Sequence, residues 1–307
     1  MLDQEDLYEM SAEEGQEMIK EHFDKIYPSI ESWYTINNND FFFNFKTVAT
    51  VESGLYSMIY NDGNGFGVSK LSYKSDEFFH LPSLPHNEII GDLIKFWDNV
   101  DRFKKYNLTP KRGIILHGEP GCGKTSLIYL LVDKLKEYNG LSIYFDNPLN
   151  WVELAKLVRK VEKTRPLLCI IEDIDLVIDK FGEEVFLNFL DGLNSIDNVV
   201  YVATTNNLEK IPARIKDRPS RFDKKYKIEK PTVEDRKIYF TAILDEEDKK
   251  LYDIDKLVKD TNGYTMAHLK ESFISLYILK NPYDETIKRL KNKKIADERI
   301  GFDISGD

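Results

Sequence analysis

Residues 118–125 read Gly-Glu-Pro-Gly-Cys-Gly-Lys-Thr, directly after the apolar run Ile114-Ile115-Leu116-His117 and directly before Ser126-Leu127-Ile128-Tyr129-Leu130-Leu131. The spacing GxxxxGK[ST] between a strand-like run and an amphipathic run leaves few folds open. Such a loop works only where a strand delivers it and a helix N-terminus leaves it. The glycines let successive backbone N–H groups turn inward around a phosphate chain, and the helix adds its positive end. Lys124 then reaches the β- and γ-phosphates, and the Thr125 hydroxyl ligates Mg²⁺. The candidate binding set is Gly118, Glu119, Pro120, Gly121, Cys122, Gly123, Lys124, Thr125 and Ser126, and the predicted ligand is a nucleoside triphosphate.

The rest of the chain fits around that loop. Strands are predicted near 113–117, 142–145, 167–171, 199–204 and 225–229, with helices near 88–105, 124–138, 151–163 and 183–193 between them. In the helix at 151–163, Trp151, Val152, Leu154, Leu157, Val158 and Val161 fall on one face. Continuously apolar strands such as Leu167-Leu168-Cys169-Ile170-Ile171 suit a parallel sheet covered on both sides. The expected class is α/β, a P-loop NTPase sheet with helices on both faces, spanning residues 87–230. After Lys230-Pro231-Thr232 only helical signals remain, with Thr232 as N-cap and helices near 265–280 and 284–297, so residues 231–307 read as a helical lid and C-terminal tail. Residues 1–86 have a different texture. A helix over 1–28 carries Leu7, Met10, Met18, Ile19, Phe23 and Ile26 near one stripe. Aromatic and β-branched runs at 41–45 and 55–60, and a turn at 61–65, complete a small α+β domain. Leu81-Pro82-Ser83-Leu84-Pro85-His86 then reads as a linker.

Charge separates the same regions. Of the net −10, all is carried by residues 1–86, with 15 acidic residues against 5 lysines, and the remaining residues balance. Such a segment suits solubility or docking of a basic partner, and argues against direct nucleic-acid binding by the N-terminal domain. The two cysteines, Cys122 and Cys169, and the five scattered histidines give neither a disulfide framework nor a zinc spacing. No apolar run approaches the roughly 18 residues needed to span a bilayer, and the acidic start is unlike a targeting peptide, so no membrane association and a cytoplasmic location are expected.

Downstream of the loop, Ile170-Ile171-Glu172-Asp173-Ile174-Asp175 sets carboxylates at the C-terminal end of an apolar strand, where the ligand crevice of a doubly wound sheet lies. One acid there can hold Mg²⁺ and a second can orient or deprotonate an attacking water; a plain solvated strand end is the alternative. The strand at 199–204 runs into Thr204-Thr205-Asn206-Asn207, whose amide can share that water. Arg218-Pro219-Ser220-Arg221-Phe222-Asp223 supplies arginines, either surface charges or groups that stabilise a transferring phosphoryl.

Taken in order, these motifs resemble those of the AAA+ ATPases over roughly Leu84 to Lys280. GEPGCGKTS is similar to the family's Walker A, IIEDID to Walker B, TTNN to sensor 1 and RPSRFD to the arginine-finger segment. FLNFLDGL at 186–193 followed by TTNN, with Walker B running Glu-Asp, is most similar to the branch containing the mitochondrial Rieske-protein translocase ATPases. The resemblance implies ATP and Mg²⁺ as cofactors. Lys124 and Thr125 would carry phosphate and metal, Glu172 would sit in the metal position and Asp173 in the water-activating one. Asn206 would be sensor 1, and Arg218 and Arg221 the fingers. It further implies an ATP-hydrolysing motor, a homo-oligomeric ring that remodels or moves a protein substrate or adaptor chosen by the N-terminal domain. A DNA-directed accessory ATPase, such as a loader or helicase-associated factor, and a non-hydrolysing nucleotide switch are the alternatives. The sequence departs from the family in the inverted acid order, in Met266 where the second-sensor stretch commonly has glycine, and in a short 146–166 connection. That connection offers only Trp151 as a pore aromatic, a residue equally suited to helix core.

Overall fold

The computed structural model describes residues 30–35, 41–45, 50–61, 65–73, 81–145, 147–191, 196–218, 220–251 and 253–292. The helix expected over 1–28 and the end of the one expected over 284–297 lie outside the described residues. The chain divides into two compact units, Met1–Val51 and Glu52–Asp307. In the first, β1 (Ile30–Thr35) and β2 (Phe41–Phe45) pair antiparallel.

The second unit is built on a seven-stranded sheet. β3 (Gly54–Asn61) and β4 (Gly65–Lys70) form an antiparallel hairpin, and β5 (Lys111–His117), β6 (Leu141–Tyr144), β7 (Leu167–Ile171), β8 (Val199–Thr205) and β9 (Lys224–Lys227) follow. The order is β4-β3-β6-β7-β8-β5-β9, parallel throughout except for that hairpin. The hairpin falls within the residues 1–86 that sequence texture separates from the rest. It lies in the main sheet because Gly54–Ser57 pair in parallel with Leu141–Tyr144 and bury Leu55 and Tyr56. Leu81–His86, which reads as a linker, likewise leads straight into α1 (His86–Asp98) and lies inside this unit.

Strand side chains alternate between faces, and both faces are covered. Ile114 and Leu116, Leu168 and Ile170, and Val200 and Val202 pack with Ile89 and Leu93 of α1 and Leu127, Ile128 and Leu131 of α3 (Lys124–Glu137). Between α1 and β5 stands the short α2 (Val100–Lys105). On the other face, Tyr201 meets Trp151 of α4 (Pro148–Val161) edge-on at 6.4 Å and Phe189 of α6 (Glu183–Asp191) at 5.3 Å. Trp151 is thus fully buried core, not a pore aromatic. Leu157 and Val161 leave the shared face expected of them, being 40% and 71% exposed. At 100° per residue they sit about 60–120° away from the Trp151, Leu154 and Ala155 seam that meets the sheet.

After α5 (Ile174–Phe181) and α7 (Ala213–Lys216), the chain passes β9 into a helical lid: α8 (Val233–Ile243), α9 (Asp248–Leu251), α10 (Ile254–Asp260), α11 (Met266–Phe273), a π-helical turn at Ile274–Ile278 and a helix over 283–292. Thr232 caps α8 in a reciprocal capping box with Asp235, in the N-cap role its sequence suggests. The lid has its own core, in which Tyr239, Phe240, Leu257, Leu269 and Leu276 surround Leu81 from ahead of α1.

Candidate functional site

The loop between β5 and α3 needs its glycines. Gly118, Gly121 and Gly123 have φ of 154°, 76° and 103°, values that L side chains rarely adopt. A Cβ on Gly118 would lie 2.2 Å from the Ile228 carbonyl oxygen, and one on Gly121 would lie 2.8 Å from Cβ of Ala267 in the lid. Gly123 is the left-handed N-cap of α3, so Lys124 and Thr125 open the helix and its first N–H groups face the loop.

Lys124 Nζ donates to the carbonyls of Gly118 (2.6 Å) and Glu119 (3.1 Å) and to Oδ1 of Asn206 (2.8 Å). Burial pulls the Lys124 pKa below its ordinary value, with Cys122 and then Asp173 the largest opposing influences. Desolvation disfavours the charged form, and an anionic partner beside Lys124 would favour it again. The Thr125 hydroxyl donates to Oε1 of Glu172 at 3.0 Å, so the two groups expected to share Mg²⁺ already face each other. Asp173 occupies the left-handed region at φ 46°, where β7 turns into α5, and its N–H donates to the Thr204 hydroxyl at 3.1 Å. Strain of this kind in a non-glycine residue concentrates at functional sites. Asp175 accepts from Thr205 at 2.8 Å. Strands β7, β8 and β5 are neighbours, and that order is what gathers Glu172, Asp173, Asn206 and Lys124 at one end of the sheet.

These residues line a cavity of about 900 Å³. Its glycine-rich and charged half suits a triphosphate with a divalent cation, and its other half is apolar, lined by Leu81, Leu84, Tyr239, Ile243, Phe273 and Ile278. Loop and lid meet directly, the Ala267 N–H donating to the Gly121 carbonyl at 3.0 Å. Lys230, at the entry to the lid, pairs with Glu119 of the loop at 2.7 Å. Sequence motifs do not reveal this apolar half, because it draws single residues from a proline-rich stretch and from lid helices far apart in the chain.

The two arginines differ. Arg218 is exposed and has no ion pair among the described residues. Arg221 is buried; its Nε donates to Oδ2 of Asp191 at 2.5 Å and its guanidinium also reaches the Arg214 carbonyl. Asp191 further accepts from Lys111 at 3.0 Å. Cys122 is buried, and burial pushes its thiol up to about 11, so it packs the loop as an inert group.

The sequence profile of the ATPase family associated with various cellular activities (AAA) matches residues 114–230, which run from the strand before the loop to the entry of the lid. The chain carries an AAA ATPase domain. The chain is 28% identical over 226 residues to Protein SAV of Sulfolobus acidocaldarius, covering 64% of this chain and 28% of that protein. An "AAA ATPase forming ring-shaped complexes" of Corynebacterium diphtheriae is 26% identical, covering 59% and 41%. The ATP-dependent zinc metalloprotease FtsH of Aster yellows witches'-broom phytoplasma is 26% identical, covering 69% and 34%. The matches therefore span less than half the length of these relatives. Among the described residues, no helix is long and apolar enough to cross a membrane.

Proposed function

We propose that this chain is a Mg²⁺-dependent, ATP-hydrolysing AAA+ motor of the cytoplasm that works as a ring and remodels or moves a protein selected by its N-terminal residues. The supporting observation is the convergence of Lys124, Thr125, Glu172, Asp173 and Asn206 on one cavity that also has an apolar half fit for a base. ATP would lie with its phosphates along Gly118–Ser126, where inward N–H groups and Lys124 balance their charge. Thr125 and Glu172 would hold Mg²⁺, which when bound neutralises charge building on the phosphates. Asp173, fixed by its strained backbone, orients or deprotonates the attacking water, and Asn206 shares that water through its amide. Until phosphate arrives, Asn206 instead accepts from Lys124, so one lysine reads both states. Arg218, exposed and without an ion pair among the described residues, is the finger offered to a neighbouring subunit; Arg221 holds the segment in place through Asp191. Ring formation draws on the similarity to the Corynebacterium diphtheriae ATPase that forms ring-shaped complexes. Partner selection draws on residues 1–51, which carry 11 acidic residues against 3 lysines, and fits a basic protein or adaptor rather than nucleic acid.

The test is ATPase activity against protein concentration, with mixtures of Arg218→Ala and Lys124→Ala subunits. Each variant alone should be nearly inactive, and the mixture should regain measurable turnover, because a mixed ring pairs an intact site with an intact finger. Full activity from a demonstrated monomer would rule out the ring. Near-normal ATP affinity in folded Lys124→Ala would rule out the loop assignment.

A further inference from the structure

Leu81–Leu84 belongs physically to the lid, although it precedes the α/β sheet strands β5–β9 in the chain. Leu81 is 1% exposed within the lid core, and Leu84 packs against both that core and the core of the sheet. The two are joined in a turn, the Leu84 N–H donating to the Leu81 carbonyl at 3.2 Å, and both line the apolar half of the nucleotide cavity. One carboxylate fastens this turn. Asp235, fully buried, accepts from the Ser83 N–H at 3.2 Å and from the Ser83 hydroxyl. The same carboxylate accepts from the Thr232 N–H at 2.8 Å and the Thr232 hydroxyl at 2.7 Å, closing the capping box at the start of α8. A capping box needs only its own two residues. Here its acid also takes two donors from one residue, Ser83, 152 positions earlier, which ties the cavity wall to the first helix of the lid.

We infer that Asp235 is a positioning residue for nucleotide binding: through Ser83 it holds the Leu81–Leu84 wall against the base end of the cavity. The inference rests on the nucleotide reading of that cavity. Its consequence is selective. Loosening the clasp weakens contact with the base and leaves the phosphate half, built from Gly118–Ser126, as it was.

The experiment measures binding of Mg-ATP and of inorganic tripolyphosphate with Mg²⁺ to the full chain and to Ser83→Ala, with Asp235→Asn as a second variant. Ser83→Ala keeps the capping box and the Ser83 N–H, so the lid should fold. Losing one hydrogen bond to a charged group while its backbone partner remains should weaken ATP by about 3- to 10-fold, with tripolyphosphate affinity within about twofold of wild type. Asp235→Asn should move ATP further in the same direction. Unchanged ATP affinity in Ser83→Ala overturns the inference. Equal weakening of both ligands also overturns it, since that is the mark of a general loss of lid structure. If the wild-type chain binds neither ligand, the nucleotide reading itself falls and takes this inference with it.

Discussion

Replacing Arg221 by alanine should damage the fold, and replacing Arg218 by alanine should damage only the chemistry. The Arg221 side chain is 5% exposed and its Nε lies 2.5 Å from Asp191. Removing one partner of a buried ion pair costs about 3–5 kcal/mol. Here the loss is smaller, because Asp191 is partly solvated and keeps Lys111 at 3.0 Å. The Arg214 carbonyl, in contrast, loses its guanidinium donor. Together these give about 2–3 kcal/mol. In a unit the size of Glu52–Asp307, each kcal/mol moves the melting temperature by about 2–4 °C, so Arg221→Ala should melt about 4–12 °C lower. Arg218 is exposed, and its replacement should stay within about 0.5 kcal/mol of wild type while turnover falls by on the order of 10³-fold. Thermal denaturation and ATPase assays on the two variants, at one protein concentration, separate the roles. Arg221→Ala that melts with wild type, or Arg218→Ala that unfolds early, would show the assignment to be reversed.

Asp173→Asn should bind Mg-ATP and hydrolyse it slowly, while Glu172→Gln should lose magnesium-dependent binding along with turnover; the opposite pattern would exchange the two acids. Residues 52–307 should fold and bind ATP but lose partner binding, whereas residues 87–307 should be insoluble or unstable, since that cut removes β3 and the buried Leu55 and Tyr56 and bares the edge of β6; a stable 87–307 would refute this. Burial pushes the Asp235 carboxyl up, yet the Ser83 and Thr232 donors outweigh it and hold its pKa below the usual value. A lowered folded-state value means its stabilisation is complete above about pH 4 and lost as pH falls through that value. Melting curves of the wild type should therefore drop more steeply below about pH 4 than those of Asp235→Asn, and parallel curves would count against the clasp.

The phosphate-loop elements were legible in the sequence because each is a contiguous signal: an apolar strand, a glycine turn, a helix start. The acids and Asn206 were legible for the same reason, as strand ends in a sheet whose parallel order brings such ends together. What escaped depended on pairing across long distances. Gly54–Asn61 looks like any aromatic strand, and only its register with Leu141–Tyr144 shows that it extends the sheet. Pro82 and Pro85 make residues 81–86 look like a spacer, and nothing local tells that Leu81 is core of a domain that begins about 150 residues later. Arg218 and Arg221 share one motif, and only the position of Asp191 separates them.

The partnership of β3 with β6 also sets a problem of timing. Gly54 faces Leu141, 87 residues further along. At a synthesis rate of about 5–20 residues per second, the β3–β4 hairpin waits about 4–17 s for its neighbour. A hairpin alone is marginal in water, and during that interval Leu55 and Tyr56 have no sheet to cover them. For those seconds the nascent chain carries an open strand edge that a second nascent copy, or a chaperone, can pair with.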